Sequence, residues 1–129
     1  MSYSYYEVYT NTQRAFSGIG FPHGADEDAA YIITWLELYN LKGIDLFCSF
    51  IEKFNGQYDY KIDLFNNEKK INLKNKSNLM TGPGVIDYVV SKFNINNENE
   101  YSLINCYDPI FLIPILSKYI KKIIYAKIV

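Results

Sequence analysis

Side chains able to do chemistry are few in this chain, and they gather in three places. His23 is the single histidine, and it stands beside Gly24 and three acids, Asp26, Glu27 and Asp28. A carboxylate near an imidazole orients the ring and favours its protonated form, so this corner could hold a general base or give one ligand to a metal. One imidazole with only sequence-local acids falls short of a metal-binding set, and no metal or cofactor is expected. The same acids at a helix start are stabilised by the helix macrodipole whether or not they do chemistry. Trp35, the one tryptophan, is the large side chain that could wall a pocket at this end of the chain. The candidate ligand-binding residues here are His23, Asp26 and Trp35, and no catalytic residue is assigned.

Gly82-Pro83-Gly84 is the second place. Free amides at a helix start can hold an anion, which makes Gly82 and Gly84 candidates, although Pro83 removes one donor and ordinary helix initiation accounts for the same pattern. Gly18-Ile19-Gly20 is no dinucleotide fingerprint, because it follows a helical segment and leads to no strand–helix turn. The third place is the basic group Lys69, Lys70, Lys74 and Lys76, a candidate contact for nucleic-acid phosphates. Three helices followed by a hairpin would suit a winged helix–turn–helix whose third helix enters the major groove. That helix carries Asp45 and Glu52 against Lys53, the wrong sign for the purpose. Cys48 and Cys106 have no basic neighbour in sequence to lower their pKa and are read as buried packing thiols with no disulfide implied.

The elements that must position these residues follow from periodicity. Ser4-Tyr5-Tyr6-Glu7 has the form of a capping box. From there Tyr5, Val8, Tyr9, Thr12, Ala15, Phe16 and Ile19 recur at helical spacing, and Gly18 with Gly20 supplies the stop, so the pattern predicts a helix over about 5–17. After the Phe21-Pro22-His23-Gly24 corner, the acidic turn opens a second helix. Its buried stripe is Ala29, Ile32, Ile33, Leu36 and Tyr39, with Trp35 at the edge and Gly43 as its end. A third helix is predicted from about Asp45, as N-cap, with Phe47, Phe50, Ile51 and Phe54 on one face and Asn55-Gly56 closing it.

At Tyr58 the period changes to two. Tyr58, Tyr60, Ile62 and Leu64 alternate with polar residues, and Ile71 and Leu73 do so after a polar turn at 66–69, which predicts a β-hairpin. A short helix with Pro83 near its first position is expected over Val85 to Phe93. Next come a strand at Tyr101–Cys106, a helix from the Asp108-Pro109 cap to about Lys122 that Pro114 either kinks or delays in its regular part, and a final strand at 123–129. The predicted fold class is α+β: an N-terminal three-helix layer, a β-hairpin, then helix-strand-helix-strand forming a small mixed sheet. A parallel crossover is the first expectation for the last strand–helix–strand.

Size and composition bound the rest. The chain has 129 residues, enough for one core, and a single domain over 1–129 is expected, helical in 1–56 and sheet-containing in 57–129. Hydrophobic residues make up 49%, which excludes a disordered chain. The thirteen tyrosines accompany seventeen Ile, thirteen Asn and twelve Lys against five Ala and one Arg, the usage that A/T-rich codons produce, so aromatic richness does not by itself signify a stacking surface. Net charge is −1, from −5 in residues 1–60 and +4 in 61–129, a balance against a dedicated nucleic-acid binder. The opening residues form no signal-like segment and no apolar run reaches membrane-spanning length, so a soluble, cytoplasmic protein with no membrane partner is expected.

The run from S-Y-Y-E-V through R-A-F-x-G-x-G-F-P-x-G-x-D-E-D-A-A to W-L-E-x-x-x-L-K-G resembles the opening of an uncharacterised bacterial family, a domain of unknown function. The residues carrying the likeness are Ser4, Glu7, Gly18, Gly20, Gly24, Glu27, Asp28, Ala29, Ala30, Trp35, Leu36 and Gly43. The segments at Gly82–Asp87 and Asp108–Leu112 are similar in kind to its later parts. Members of that family tend to be longer, so this chain looks like a short form. The resemblance implies a fold and no activity. The helical opening is also distantly similar to that of the malate/L-lactate dehydrogenase family, but the Ser-His-Gly neighbourhood expected after the second helix is absent, and no catalytic role carries over.

These readings lead to a small domain acting through binding or assembly as a homo-oligomer, in the simplest case a homodimer. The alternatives are a small-molecule enzyme or enzyme fragment with a pocket near His23–Asp28, and a winged-helix-like nucleic-acid-binding protein.

Overall fold

A computed structural model of the chain describes residues 4–64, 69–93 and 100–119. It divides into two compact units, Met1–Tyr58 and Asp59–Val129. The predicted α+β class is what forms: three helices come first, and a small sheet with further helices follows.

In the first unit, α1 spans Tyr5–Gly18, α2 Ala25–Leu38 and α3 Gly43–Lys53. Ser4 starts α1 as its spacing predicts, its side-chain oxygen accepting from the Glu7 amide at 3.1 Å. Gly20, at φ 109°, ends it. The Phe21 amide then donates to the Phe16 carbonyl and the Gly20 amide to that of Ser17, a pair of bonds that satisfies the last free carbonyls of the helix. The Phe16 and Phe21 rings close over this turn with centroids 4.8 Å apart.

α2 ends by the same device one residue pattern earlier than expected. Asn40, at φ 60°, takes the left-handed position, and the Leu41 amide donates to the Leu36 carbonyl at 2.8 Å. Gly43, read from the sequence as the end of α2, is instead the first residue of α3. It is glycine because the helices meet there: a Cβ on Gly43 would stand 2.2 Å from the carbonyl oxygen of Ile33 and 2.7 Å from the amide nitrogen of Glu37. Asp45, the expected N-cap, lies within the first turn of α3, and the cap comes from α2, where Glu37 Oε1 accepts from the Ile44 amide at 2.9 Å.

The core of this unit is aromatic on one side and aliphatic on the other. Phe21 touches the rings of Phe16, Phe50, Phe54 and Tyr58. Ala29, Ile32, Ile33 and Leu36 of α2 are fully buried, as α2 packs against both α1 and α3.

The second unit departs from expectation in its pairing. Its strands are β1, Lys70–Asn72, and β2, Ser102–Ile104. They run parallel, with Lys70 opposite Ser102, Ile71 opposite Leu103 and Asn72 opposite Ile104. The predicted hairpin does not form: residues 58–64 hold no strand, and the partner of β1 lies across a helix rather than across a turn. The period-two pattern at 58–64 reflects a segment that buries part of Ile62 against the core without joining a ladder. The described sheet is accordingly parallel rather than mixed, and the strand expected at 123–129 lies outside the described residues.

Between the strands runs α4, Asn78–Phe93, giving a β1–α4–β2 crossover of the kind that parallel pairing requires. Ile71 and Leu73, on one side of the strand, pack on Val85 and Val89 of α4, with Leu103 and Cys106 joining from β2 and the residues after it. α4 starts several residues before the expected point, which puts Pro83 inside the helix. After β2, a single 3₁₀ turn at Pro109–Phe111 leads into α5, Leu112–Ser117. Within the described residues the helix expected from Asp108 is therefore two short pieces, and its expected end near Lys122 lies outside them. Pro114 sits in the first turn of α5, where its missing N–H leaves no ladder bond unmade.

Candidate functional site

The corner at His23 is built to start a helix. Gly24, at φ 94°, occupies the N-cap position of α2 and has no side chain with which to cap. Asp26 does this from the first turn. Its Oδ1 accepts from the amides of Gly24 at 3.0 Å and Glu27 at 2.8 Å, and its Oδ2 accepts from Gln13 Nε2 of α1 at 2.7 Å. Asp26 is thus buried with partners on both oxygens, while His23 is exposed in the turn before it. Trp35 stands ten residues along α2 from Ala25, roughly 15 Å away by helical rise. The corner and the tryptophan lie toward opposite ends of one helix.

What surrounds Trp35 is more informative. α2 buries Asp26, Ala29, Ala30, Ile32, Ile33, Thr34 and Leu36, an arc wider than half of its circumference. The remaining arc of an ordinary surface helix is polar. Here its N-terminal end carries Glu27 and Asp28, and the rest carries Tyr31, Trp35, Leu38 and Tyr39. The Trp35 and Tyr39 rings meet at a tilt of 35° with centroids 4.3 Å apart, and Leu38 and Tyr39 are 60% and 57% exposed. Leu41 follows at 40%, and Lys42 is exposed beside it. Tyr39 had been expected in the buried stripe; the turn at Asn40 ends the helix with that ring outside. The signal for this face was present in the spacing 31, 35, 38, 39, masked by the apolar stripe on the opposite side.

In the second unit, Gly82 and Gly84 lie within α4 rather than at its start, so neither offers a free terminal amide. Gly82 is a packing position: an added Cβ would meet Leu112 Cδ2 at 3.0 Å and Ile115 Cδ1 at 3.1 Å, whereas at Gly84 it would meet open space. The true N-terminus of α4 is Asn78, and it is already occupied by a carboxylate of this chain. Asp108 Oδ1 accepts from the Asn78 amide at 2.7 Å and Oδ2 from the Ser77 hydroxyl at 2.6 Å. The Asn78 side chain, fully buried, donates to Cys106 Sγ and to the Asp108 carbonyl, both at 3.1 Å, and accepts from Thr81 Oγ1 at 3.3 Å.

This knot of Ser77, Asn78, Thr81, Cys106 and Asp108 was not foreseen. Its members looked like loop and strand residues, and Asp108 like the cap of its own helix. Burial raises the Asp108 carboxyl above its ordinary value, opposed by the bonds from Ser77 and Asn78. Burial likewise raises the Cys106 thiol, which keeps it protonated and non-nucleophilic at neutral pH. With a serine that donates to a carboxylate and no imidazole beside either, the knot holds structure together and activates no nucleophile. Cys48, expected to be buried, is exposed on α3.

The four lysines divide in two. Lys69 and Lys70 are exposed at the start of β1. Lys74 pairs with Asp63 at 2.9 Å, and Lys76 with Asp59 at 2.7 Å while also donating to the Lys61 carbonyl. The Lys76 bond lowers the Asp59 carboxyl, and the Lys74 bond that of Asp63. Two of the four cations are thereby committed to carboxylates of the same unit. Among the described residues no cluster of three metal-ligating side chains occurs, and no helix is long and apolar enough to cross a membrane.

A family model described as "Protein of unknown function (DUF3726)" matches residues 3–79, which takes in the three helices of the first unit, β1 and the first two residues of α4. No curated protein and no solved structure matches the chain.

Proposed function

The chain belongs to this family, whose description assigns no activity, and we propose from its surfaces that it acts through binding, as a subunit of a homo-oligomer, with the outer face of α2 as the contact surface. The observation that carries this reading is the exposed pair Leu38 and Tyr39 at the end of α2, continued by half-buried Tyr31 and Trp35 on the side of the helix away from its buried arc and by exposed Leu41 in the turn that follows. A contiguous apolar patch of this kind marks an interaction surface, and aromatic anchors with a large flat area supply most of the energy in such contacts. Neither candidate for small-molecule chemistry gathers comparable support, since His23 and Trp35 stand apart and Gly82 is packed. The basic group likewise has two of its lysines in ion pairs.

Light scattering on the size-exclusion peak tests the reading. We expect a mass above the 15.0 kDa of one chain as the loading concentration rises, and a return to 15.0 kDa in Leu38→Glu with unchanged helical circular dichroism. A wild-type protein that stays at monomer mass up to hundreds of micromolar overturns it.

A further inference from the structure

The outer face of α2 is not only apolar; it has a polarity along its length. Glu27 and Asp28 stand at its N-terminal end, the apolar group Tyr31, Trp35, Leu38 and Tyr39 in the middle, and Lys42 just beyond its C-terminal end. Tyr31 and Tyr39 lie four positions on either side of Trp35, while Lys42, past the left-handed turn at Asn40, puts a cation near the end of the face away from the acids. A surface arranged in this way complements an inverted copy of itself. In an isologous contact, residue i of one subunit meets residue j of the other and j meets i. Inversion about Trp35 sets Tyr31 against Tyr39, the acidic turn against Lys42, and the positive end of one helix dipole beside the negative end of the other. A parallel arrangement would instead set acid against acid and base against base.

We infer that the partner of this face is a second copy of the chain, with the two α2 helices antiparallel and a two-fold axis passing at Trp35. This rests on the reading of α2 as the contact surface and adds its occupant and register. The exposed parts of the aromatic and leucine side chains of two copies give on the order of 700 Å² of buried surface, taking each ring at roughly 150–250 Å² when wholly covered. That lies below the roughly 1,200 Å² of a permanent interface, so the pairing is reversible and concentration-dependent. Charge at its two ends sets orientation more than it adds affinity.

Disulfide trapping between defined positions tests the register. In a background with Cys48→Ser and Cys106→Ser, Tyr31→Cys and Tyr39→Cys are prepared separately, then mixed and oxidised with a copper oxidant. The antiparallel register predicts a cross-linked dimer in the mixture and none in either protein alone. Cross-linking of Tyr31→Cys to itself or Tyr39→Cys to itself overturns the register. If light scattering shows a dimer while none of the three samples cross-links, the register falls and assembly stands; a monomer at every concentration removes both. As a second measurement, Lys42→Glu is expected to weaken association about three- to tenfold, and adding Glu27→Lys and Asp28→Lys to it to restore the wild-type value. No restoration in the triple variant counts against the end-to-end charge pairing.

Discussion

The Asp108 carboxylate lies 2.7 Å from the backbone nitrogen of Asn78, so that a residue thirty positions later in the chain closes the N-terminus of α4. The bond spares a buried helix end its free donors, and the same carboxylate takes the Ser77 hydroxyl. The position that an external anion would take in a strand–helix crossover is filled by the chain itself.

Asp108→Ala should cost about 2–4 kcal/mol, the combined effect of a lost cap and a buried amide and hydroxyl left without an acceptor. Asp108→Asn, which keeps one acceptor in place, should cost less. Urea unfolding followed by circular dichroism measures both, and equal losses would show that the carboxylate geometry is unimportant.

Stability should carry a recognisable pH signature from the same residue. Burial raises the folded-state value of Asp108 above 3.8, so between the two values the native protein holds a proton that the unfolded chain releases. This contribution is fully present below pH 3.8 and is lost as pH rises through the folded value. Asp59 and Asp63 act in the opposite sense: lowered by Lys76 and Lys74, they contribute above their unfolded values and lose that contribution as pH falls through the folded ones. The stability of wild type relative to Asp108→Asn should therefore decline as pH rises from 3 into the window above 3.8 and then level off. A difference that is flat from pH 3 to 7 would contradict this assignment.

Two glycines separate close approach from mere flexibility. Gly43→Ala places a methyl 2.2 Å from the Ile33 carbonyl oxygen, so the α2–α3 contact must open; a loss of about 3 kcal/mol or more is expected. Gly84→Ala, in open space within α4, should gain about 0.5–1 kcal/mol from the reduced freedom of the unfolded chain. Thermal unfolding of the two variants should shift in opposite directions.

Phe21 joins the α1 stop to the aromatic core, and Phe21→Ala should lose about 3–5 kcal/mol, as is usual for a buried ring truncated to alanine. Phe21→Leu should retain more than half of that. A loss under 1 kcal/mol for the alanine variant would show that the cluster around it closes up.

The sequence was legible where the signal was local. Ser4 caps α1 and Gly20 ends it because both act on residues within one turn. It misled where a local rule had a distant competitor. Gly43 looked like a helix stop, but Asn40 tolerates the left-handed turn and Gly43 is needed for the approach of α3 to α2. Asp108 looked like the cap of the helix beside it and instead serves α4. Residues 58–64 alternate like a strand, yet β1 finds its partner across α4, since alternation reports burial on one side and is silent on which strand lies alongside.

The parallel pairing of β1 with β2 also fixes an order of events during synthesis. The helix caps and ring contacts of the first unit lie within residues 4–58 and become available as soon as that stretch leaves the ribosome. β1 has no ladder partner until Ser102–Ile104 has been made, and the Asn78 amide at the start of α4 has no Asp108 carboxylate to accept it until that residue follows. Closing loops of this length makes the second unit the slower to form. For that interval the nascent chain already carries Leu38 and Tyr39 of the α2 face while the ladder partner of β1 is still unmade.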